Sequence, residues 1–146
     1  MIVIAKNNKV VEAFYKDQVN MKVLIARYPA YSILESNTIF PPELMSQLAR
    51  IYDGQVVKKP SVLVFLDKKR VVADGIDEVE IRVEIVDCQP GEIINEIRLK
   101  IDEVIVPLEL EDNKGSILFS TKIKGLHIIS IDSSDVLFME ECVLAI

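Results

Sequence analysis

Residues 71 to 87 constrain the fold more than any other stretch of the chain. Apolar residues occupy every second position from Val79 to Ile85, and charged residues occupy the positions between them. Strict alternation of this kind predicts an antiparallel strand with one buried face and one wet face. Asp74-Gly75, just before this strand, is typical of a tight turn. A half-buried strand needs a second sheet to cover its apolar face, so the stretch predicts a layered β structure.

From residue 61 onward the chain consists of short apolar runs separated by turn residues. Asp74-Gly75, Gln89-Pro90-Gly91, the segment 112–115 and the segment 133–135 carry the turn chemistry. We expect strands at 61–66, 70–73, 78–87, 93–101, 104–110, 115–123, 126–132 and 136–145. Short strands at roughly eight- to twelve-residue spacing are typical of a β-sandwich. The predicted fold class is therefore mainly β, with a sandwich over residues 60–146.

The C-terminal run from Val136 to Ile146 is apolar and ends without a polar tail. It predicts one of two things: the last strand of the sandwich, which we prefer, or an edge strand that pairs with a neighbouring subunit.

The sequence pattern of residues 1–58 predicts a small α+β unit, in contrast to the all-β pattern of residues 60–146. Residues 2–16 form a hairpin that turns at Asn7-Asn8, because Asn tolerates the positive φ of a two-residue turn. A third strand is expected at 19–26, and a short strand at 55–57. One short helix begins at Pro41-Pro42 and places Leu44, Leu48 and Ile51 on one face. The core of such a unit is thin, so the unit either docks on a partner or a second copy, or packs against the sandwich as one continuous core.

Composition and charge exclude several classes of partner. The 146-residue chain has a formal charge of −6, and the run Lys68-Lys69-Arg70 has no aromatic residues interleaved with it. We therefore expect no nucleic-acid binding. No segment has the roughly 18 to 20 apolar residues that span a bilayer, and the opening apolar run is too short for a secretory signal. We expect a chain that is cytoplasmic when synthesised.

The two cysteines, Cys88 and Cys142, lie far apart in a chain without a predicted export signal. Two reduced thiols are expected rather than a disulfide. Neither cysteine has a neighbour at the spacing of a metal-ligand pair.

Catalytic chemistry finds little support in the residues. His127 is the only histidine, and it shares the odd-numbered face of its strand with Ile129 and Ile131, so a structural role near the sandwich rim is favoured over acid–base catalysis. No nucleophile motif and no glycine-rich phosphate loop occurs. We predict no catalytic residue, no cofactor site and no enzymatic activity.

Four aspartates lie next to predicted strands: Asp74, Asp77, Asp87 and Asp112. Gathered at one end of a sandwich, they would suit a Ca²⁺ ion, which takes six to eight oxygen ligands. Asp at these positions also hydrogen-bonds its own backbone in turns. Turn chemistry is the favoured interpretation, and no metal site is predicted.

Several turn motifs together make a family resemblance specific. These are Ala73-Asp74-Gly75 before the alternating strand, Asp87 closing it with Gly91 after it, the turn 112–115 leading into the strand 116–120, and Gly125 before the run 128–131. Residues 62–131 resemble a bacterial immunoglobulin-like domain of the invasin and intimin type. The resemblance implies an immunoglobulin-like sandwich. The segment after Asp87 departs from the family, with Cys-Gln-Pro in place of a small polar turn.

The N-terminal segment resembles small proteins of bacteriophage and prophage tail operons, through its opening hairpin, the Pro-Pro helix and the step from Tyr52 to Val57. Immunoglobulin-like domains are also common accessories on phage tails and capsids. The two resemblances imply a structural or adhesive accessory protein of a virion, either tail-associated or a decoration protein, which binds a protein partner or itself. Host-surface carbohydrate is a further candidate ligand. The alternative is a cell-surface module that binds carbohydrate or protein.

Overall fold

The computed structural model describes residues 1–146 and divides into two compact units, Met1–Lys59 and Pro60–Ile146. Strands predominate in it, which confirms the predicted mainly-β class. Neither of its two α-helices has the length and apolar character that crossing a bilayer requires.

The N-terminal unit contains one antiparallel sheet and two short helices. Its strands are β1 (Ile2–Lys6), β2 (Lys9–Phe14), β3 (Ser32–Glu35), β4 (Ala49–Tyr52) and β5 (Gln55–Lys58), and its helices are α1 (Met21–Arg27) and α2 (Pro42–Leu48). The strand order is β3-β1-β2-β4-β5. Asn7 and Asn8 have φ values of 53° and 61° in the turn between β1 and β2, so the predicted hairpin turn is confirmed.

Apolar side chains pack on both faces of this sheet. Val3 of β1 belongs to a cluster that includes Met45 of α2, whereas Ile2 and Ile4 belong to a second cluster with Leu24 of α1. The interior strand β1 is therefore buried on both sides, from Ile2 to Ala5. A strand covered on both faces has a continuous apolar sequence, which explains the opening run Ile-Val-Ile-Ala.

Two predictions for this unit are wrong. The segment expected as a strand at 19–26 contains helix α1, and the unit therefore has two short helices rather than one. Asn20 caps α1 by accepting a hydrogen bond from the backbone N–H of Lys22 at 2.9 Å. All residues of α1 except Val23 and Ile25 have good helix propensity, so cap and propensity both favour the helix. Helix α2 ends at Leu48, so Ile51 belongs to β4 and not to the helix.

The C-terminal unit contains two sheets. Its strands are β6 (Ser61–Leu66), β7 (Arg70–Val71), β8 (Val79–Val86), β9 (Glu96–Ile101), β10 (Val104–Glu109), β11 (Lys114–Phe119), β12 (Gly125–Ile131), β13 (Leu137–Phe138) and β14 (Glu141–Ala145). One sheet has the order β11-β8-β6-β13, and the other has the order β10-β9-β12-β14-β7. The expected strands are all present, except that the segment 136–145 is split into β13 and β14.

A single apolar cluster joins the two sheets into a sandwich-like unit. Ile81 on β8, Leu99 on β9 and Ile129 on β12 are each 0% exposed and belong to it. The apolar face of β8 is buried from Val79 to Ile85, and the charged residues lie on its other face. The alternation from Val79 to Ile85 therefore positions the core, as predicted.

The first two strands of the C-terminal unit, β6 and β7, lie in different sheets, and so do the last two, β13 and β14. The chain leaves β6 in one sheet and enters β7 in the other, and it passes likewise from β13 to β14. The switched strands pair in parallel, β13 with β6 and β14 with β7. Strand β13 pairs with β6 at Ser61 and Val62 only, so the rest of β6 has no strand on the side away from β8.

Candidate interaction surface

Part of the outer face of the five-stranded sheet, on β12 and β14, is apolar where a sandwich is usually polar. On β12 the side chains of His127, Ile129 and Ile131 are buried, and the alternate residues Leu126 and Ile128 are 67% and 43% exposed. An antiparallel strand with one wet face normally carries polar residues on that face. Strand β12 is instead apolar on both faces.

The neighbouring strand extends this apolar area. Cys142 of β14 lies opposite Ile128, and Leu144 lies opposite Leu126. Cys142 is exposed and Leu144 is half-buried. We call Leu126, Ile128, Cys142 and Leu144 the outer strip. Large contiguous apolar patches on folded units mark sites of interaction with other molecules, which makes the outer strip a candidate interaction surface.

Charged side chains flank the outer strip on β9. Arg98 forms an ion pair with Asp132 at 3.4 Å, and Lys100 forms one with Glu103 at 3.4 Å. Lys100 lies opposite Ser130 of β12 on one side and opposite Ile105 of β10 on the other. An apolar centre with a polar border is the usual composition of a protein–protein interface.

The opposite sheet provides an internal comparison. The outward residues of β8 are Glu80, Arg82 and Glu84, and these make long ion pairs of 3.9 Å, from Arg82 to Glu80 and from Lys114 to Glu84. That strand has the polar outer face expected of a sandwich in water. Other strands of that sheet carry exposed apolar residues, namely Leu63, Phe65 and Leu118, so the contrast with the outer strip holds for β8 and not for the whole sheet.

His127 is held inside the sandwich by two hydrogen bonds. Its Nδ1 lies 2.7 Å from Oδ2 of Asp102, and its Nε2 lies 2.8 Å from the carbonyl oxygen of Ile123. The histidine is 5% exposed, and its ring packs at a tilt on that of Phe119 at 5.5 Å. It shares the buried face with Ile129 and Ile131, as predicted. Both ring nitrogens are engaged within the fold, which gives the histidine a structural role.

These hydrogen bonds shift the acid–base equilibria of both partners. The carbonyl of Ile123 and the carboxylate of Asp102 raise the pKa of His127 above its ordinary value. The backbone N–H of Ile128, which donates to Oδ1 of Asp102 at 3.0 Å, and the His127 ring lower the pKa of Asp102. Both shifts favour the charged forms, because each group has a partner that stabilises its charge.

Asp74 and Asp77 organise the turn before β8. Oδ1 of Asp74 accepts hydrogen bonds from the backbone N–H groups of Ile76 and Asp77, each at 2.8 Å. Asp77 accepts from the Lys68 ammonium at 2.5 Å and from the N–H of Val72 at 2.7 Å. These donors hold the pKa values of both carboxyl groups below their ordinary range. The main cause for Asp74 is the hydrogen bond from the backbone N–H of Asp77, and the main cause for Asp77 is the hydrogen bond from Lys68.

The other two aspartates lie at the opposite end of β8. Asp87 follows the last residue of the strand, and Asp112 lies in the turn before β11, which pairs with the end of β8 at Glu84. Both have left-handed backbone, with φ values of 60° and 51°. The eight residues of β8, roughly 25 Å of extended chain, separate the two pairs. The structure therefore does not bring the four aspartates together, and no group of three or more His, Cys, Asp or Glu side chains is placed to hold a metal ion.

Neither cysteine forms a disulfide bond. Cys88 is half-buried and lies 3.8 Å from Nδ2 of Asn113, while Cys142 belongs to the outer strip. Sequence reasoning did not identify the outer strip, although the signal was present: Leu126 and Ile128 interrupt the polar alternation expected on an outer face. It also did not identify Asp102, which lies 25 residues from His127.

Comparison with known proteins matches the chain to no family model, no curated protein and no solved structure.

Proposed function

We propose that this chain is a non-enzymatic structural or adhesive accessory protein of a phage or prophage particle. The C-terminal unit is an immunoglobulin-like sandwich that presents the outer strip to a protein partner, and the N-terminal unit anchors the chain or associates with itself. The observation that carries the proposal is the outer strip, where Leu126 and Ile128 are 67% and 43% exposed. Burying this apolar surface against a partner is favourable.

The strand order supports the immunoglobulin-like assignment. In that fold the strands are lettered A to G in chain order, with A, B and E in one sheet and C, F and G in the other. Assigned in this way, β6, β8 and β11 are A, B and E, and β9, β12 and β14 are C, F and G, with β10 added beside β9. The motif Ala73-Asp74-Gly75 lies between β7 and β8. In the immunoglobulin-like family that the chain resembles, the same step joins the first and second strands.

The chemistry of the outer strip favours a protein as the partner. Its members are three aliphatic side chains and one thiol, and its borders are ion pairs of Arg98 and Lys100. Apolar area bordered by charge matches the surface of another protein. The sandwich would bind by surface complementarity and not through a deep pocket.

Helix α1 supports the role assigned to the N-terminal unit. Only Leu24 of this helix is buried, whereas Met21, Val23 and Ile25 are 42%, 60% and 59% exposed. A surface helix normally has one apolar stripe against the core and polar residues elsewhere. The additional apolar residues of α1 would be covered when the unit anchors to a particle or pairs with a copy of itself.

The test is the location of the chain in cells that encode it. Particles released from those cells are purified on a density gradient, and each fraction is probed for this chain and for a soluble cytoplasmic enzyme as a contamination marker. The proposal predicts that the chain sediments with the particles and the marker does not. Recovery of the chain only with the soluble proteins, or with the cell envelope, would contradict the particle role.

A further inference from the structure

Strand β6 has an open edge. One side of β6 pairs with β8 along its whole length, from Ser61 to Leu66. The other side pairs only with the two-residue strand β13, at Ser61 and Val62. Residues 63–66 therefore have no strand beside them on that side of the sheet.

The backbone of β6 directs polar groups toward this edge. The carbonyl of Pro60 accepts from the N–H of Leu137 at 2.8 Å, on the β13 side, whereas the N–H of Asp67 donates to the carbonyl of Glu80 at 3.3 Å, on the β8 side. Because successive residues of a strand direct their peptide groups to opposite edges, Val64 and Leu66 direct theirs to the same side as Pro60. Two N–H groups and two carbonyls thus line the open segment.

Apolar side chains surround these groups. A groove of about 360 Å³ is lined by residues 61–65 of β6, residues 137–139 and Glu141. Leu63 and Phe65 are 40% and 44% exposed there, and Met139 is 82% exposed. The groove thus combines a row of backbone hydrogen-bonding groups with apolar contacts on either side.

The edge strands β10 and β11 of the same unit contain proline or charged residues, which discourage the addition of another strand, but β6 contains neither. The edge strand β10 contains Pro107 and Glu109, and β11 begins at Lys114. Proline and charged residues are the usual protection of exposed edges. The sequence of β6, Ser-Val-Leu-Val-Phe-Leu, contains no proline and no charge.

We propose that the groove beside β6 binds an extended segment of a protein partner, which adds to the sheet as a strand in line with β13. Its backbone would pair with Val64 and Leu66, and its apolar residues, at alternate positions, would contact Leu63, Phe65 and Met139. Only an extended polypeptide presents alternating donors and acceptors at the spacing of a strand edge. This site is separate from the outer strip and does not depend on the particle role.

Amide hydrogen exchange on the full chain, observed residue by residue by NMR, tests the edge directly. The probe is a seven-residue fluorescein-labelled peptide in which valine and threonine alternate, with a C-terminal lysine for solubility. Without peptide, the amides of Leu63 and Phe65 should exchange slowly and those of Val64 and Leu66 quickly. Saturating peptide should slow the exchange of Val64 and Leu66 about tenfold or more. Unchanged exchange at both positions would overturn the proposal.

Two controls separate strand addition from simple apolar adhesion. The same peptide with alternate N-methyl groups keeps its side chains but lacks the donors along one edge, and it should bind at least about tenfold more weakly by fluorescence anisotropy. Phe65→Ser should also weaken binding, whereas Leu118→Ser, at an exposed leucine on β11, should not. Equal binding of the methylated peptide would overturn the proposal. Protection of Val64 that rises with protein concentration in the absence of peptide would overturn it in favour of a second copy as the occupant.

Discussion

Nδ1 of His127 lies 2.7 Å from Oδ2 of Asp102, and the other ring nitrogen lies 2.8 Å from the carbonyl oxygen of Ile123. A carbonyl oxygen and a carboxylate oxygen accept hydrogen bonds and do not donate them. Both bonds therefore form together only when each ring nitrogen carries a proton, so they stabilise the imidazolium form of His127. It ties the turn after β9 to the segment that precedes β12.

The pKa of His127 should lie above the ordinary histidine value, because Ile123 and Asp102 both stabilise the charged ring. As the only histidine, it gives a single Hε1 resonance in a proton NMR titration of the full chain. The titration midpoint is expected above about 6.5. A midpoint at or below that value would show that the ring is not held as an imidazolium.

The same pair should make the stability of the C-terminal unit depend on pH in a defined direction. The raised pKa of His127 gives a contribution that is complete below about pH 6.5 and is lost as pH rises through the folded-state value. The lowered pKa of Asp102 gives a contribution that is complete above about pH 3.9 and is lost as pH falls through its folded-state value. The pair therefore stabilises most between those limits.

Asp102→Asn should remove much of this pH dependence. The amide oxygen can still accept from the N–H of Ile128, but it no longer stabilises the imidazolium, so the pKa of His127 should fall. Urea unfolding followed by far-UV circular dichroism at pH 5.5 and 8.5 measures the effect. The control is Glu103→Gln, since the Glu103 side chain is 92% exposed. An equal loss of pH dependence in both variants would contradict the assignment to this pair.

Leu99→Ala and Leu126→Ala form a matched pair on one sheet. Leu99 is 0% exposed within the shared core, and Leu126 is 67% exposed on the outer strip. We expect Leu99→Ala to lower the free energy of unfolding by about 2–5 kcal/mol, and Leu126→Ala to change it by less than about 0.5 kcal/mol. Urea unfolding followed by far-UV circular dichroism measures both losses, and equal losses in the two variants would contradict the assignment of Leu99 to the core.

Gly115→Ala should destabilise the C-terminal unit although this glycine has ordinary strand geometry. A Cβ atom there would lie 2.8 Å from the carbonyl oxygen of Glu109 and 2.8 Å from Cδ2 of Leu110. Because one of these neighbours is backbone, the strands must shift, at a cost of about 1–3 kcal/mol. The loss in free energy of unfolding is measured in urea. The control is Ser116→Ala, because Ser116 lies on the same strand and its side chain is exposed. Equal stability of the two variants would show that β10 and β11 separate without cost.

The sequence was most informative where side-chain period and burial coincide. The alternation from Val79 to Ile85 correctly located β8 and its buried face, and the turn residues correctly separated the later strands. It was least informative for short apolar runs, which are compatible with a helix or a strand. The run that follows Asn20 is such a case: Asn20 accepts a hydrogen bond from the N–H of Lys22 and caps helix α1 where a strand was predicted.

The open edge of β6 and the contact between His127 and Asp102 depend on which strands are neighbours in the sheets. The spacing of apolar residues along the sequence does not specify strand neighbours. The run from Ser61 to Leu66 is equally compatible with a strand buried on both faces, yet its edge is open because the chain passes from β13 to β14 after two paired residues. Likewise, the partner of His127 is fixed only when β9 and β12 pair, which brings Asp102 across 25 residues.

The role of the outer strip is tested most directly by measuring incorporation into particles. Cells that encode the chain are supplied with tagged wild-type protein, with Leu126→Ser plus Ile128→Ser, or with Leu118→Ser, where Leu118 is 62% exposed on the opposite sheet. Equal unfolding midpoints in urea first establish that all three are folded. We expect the tags of the wild type and of the Leu118 variant to sediment with the particles, and the tag of the double variant to remain with the soluble proteins. Incorporation of the double variant at the wild-type level would contradict the proposed role of the outer strip.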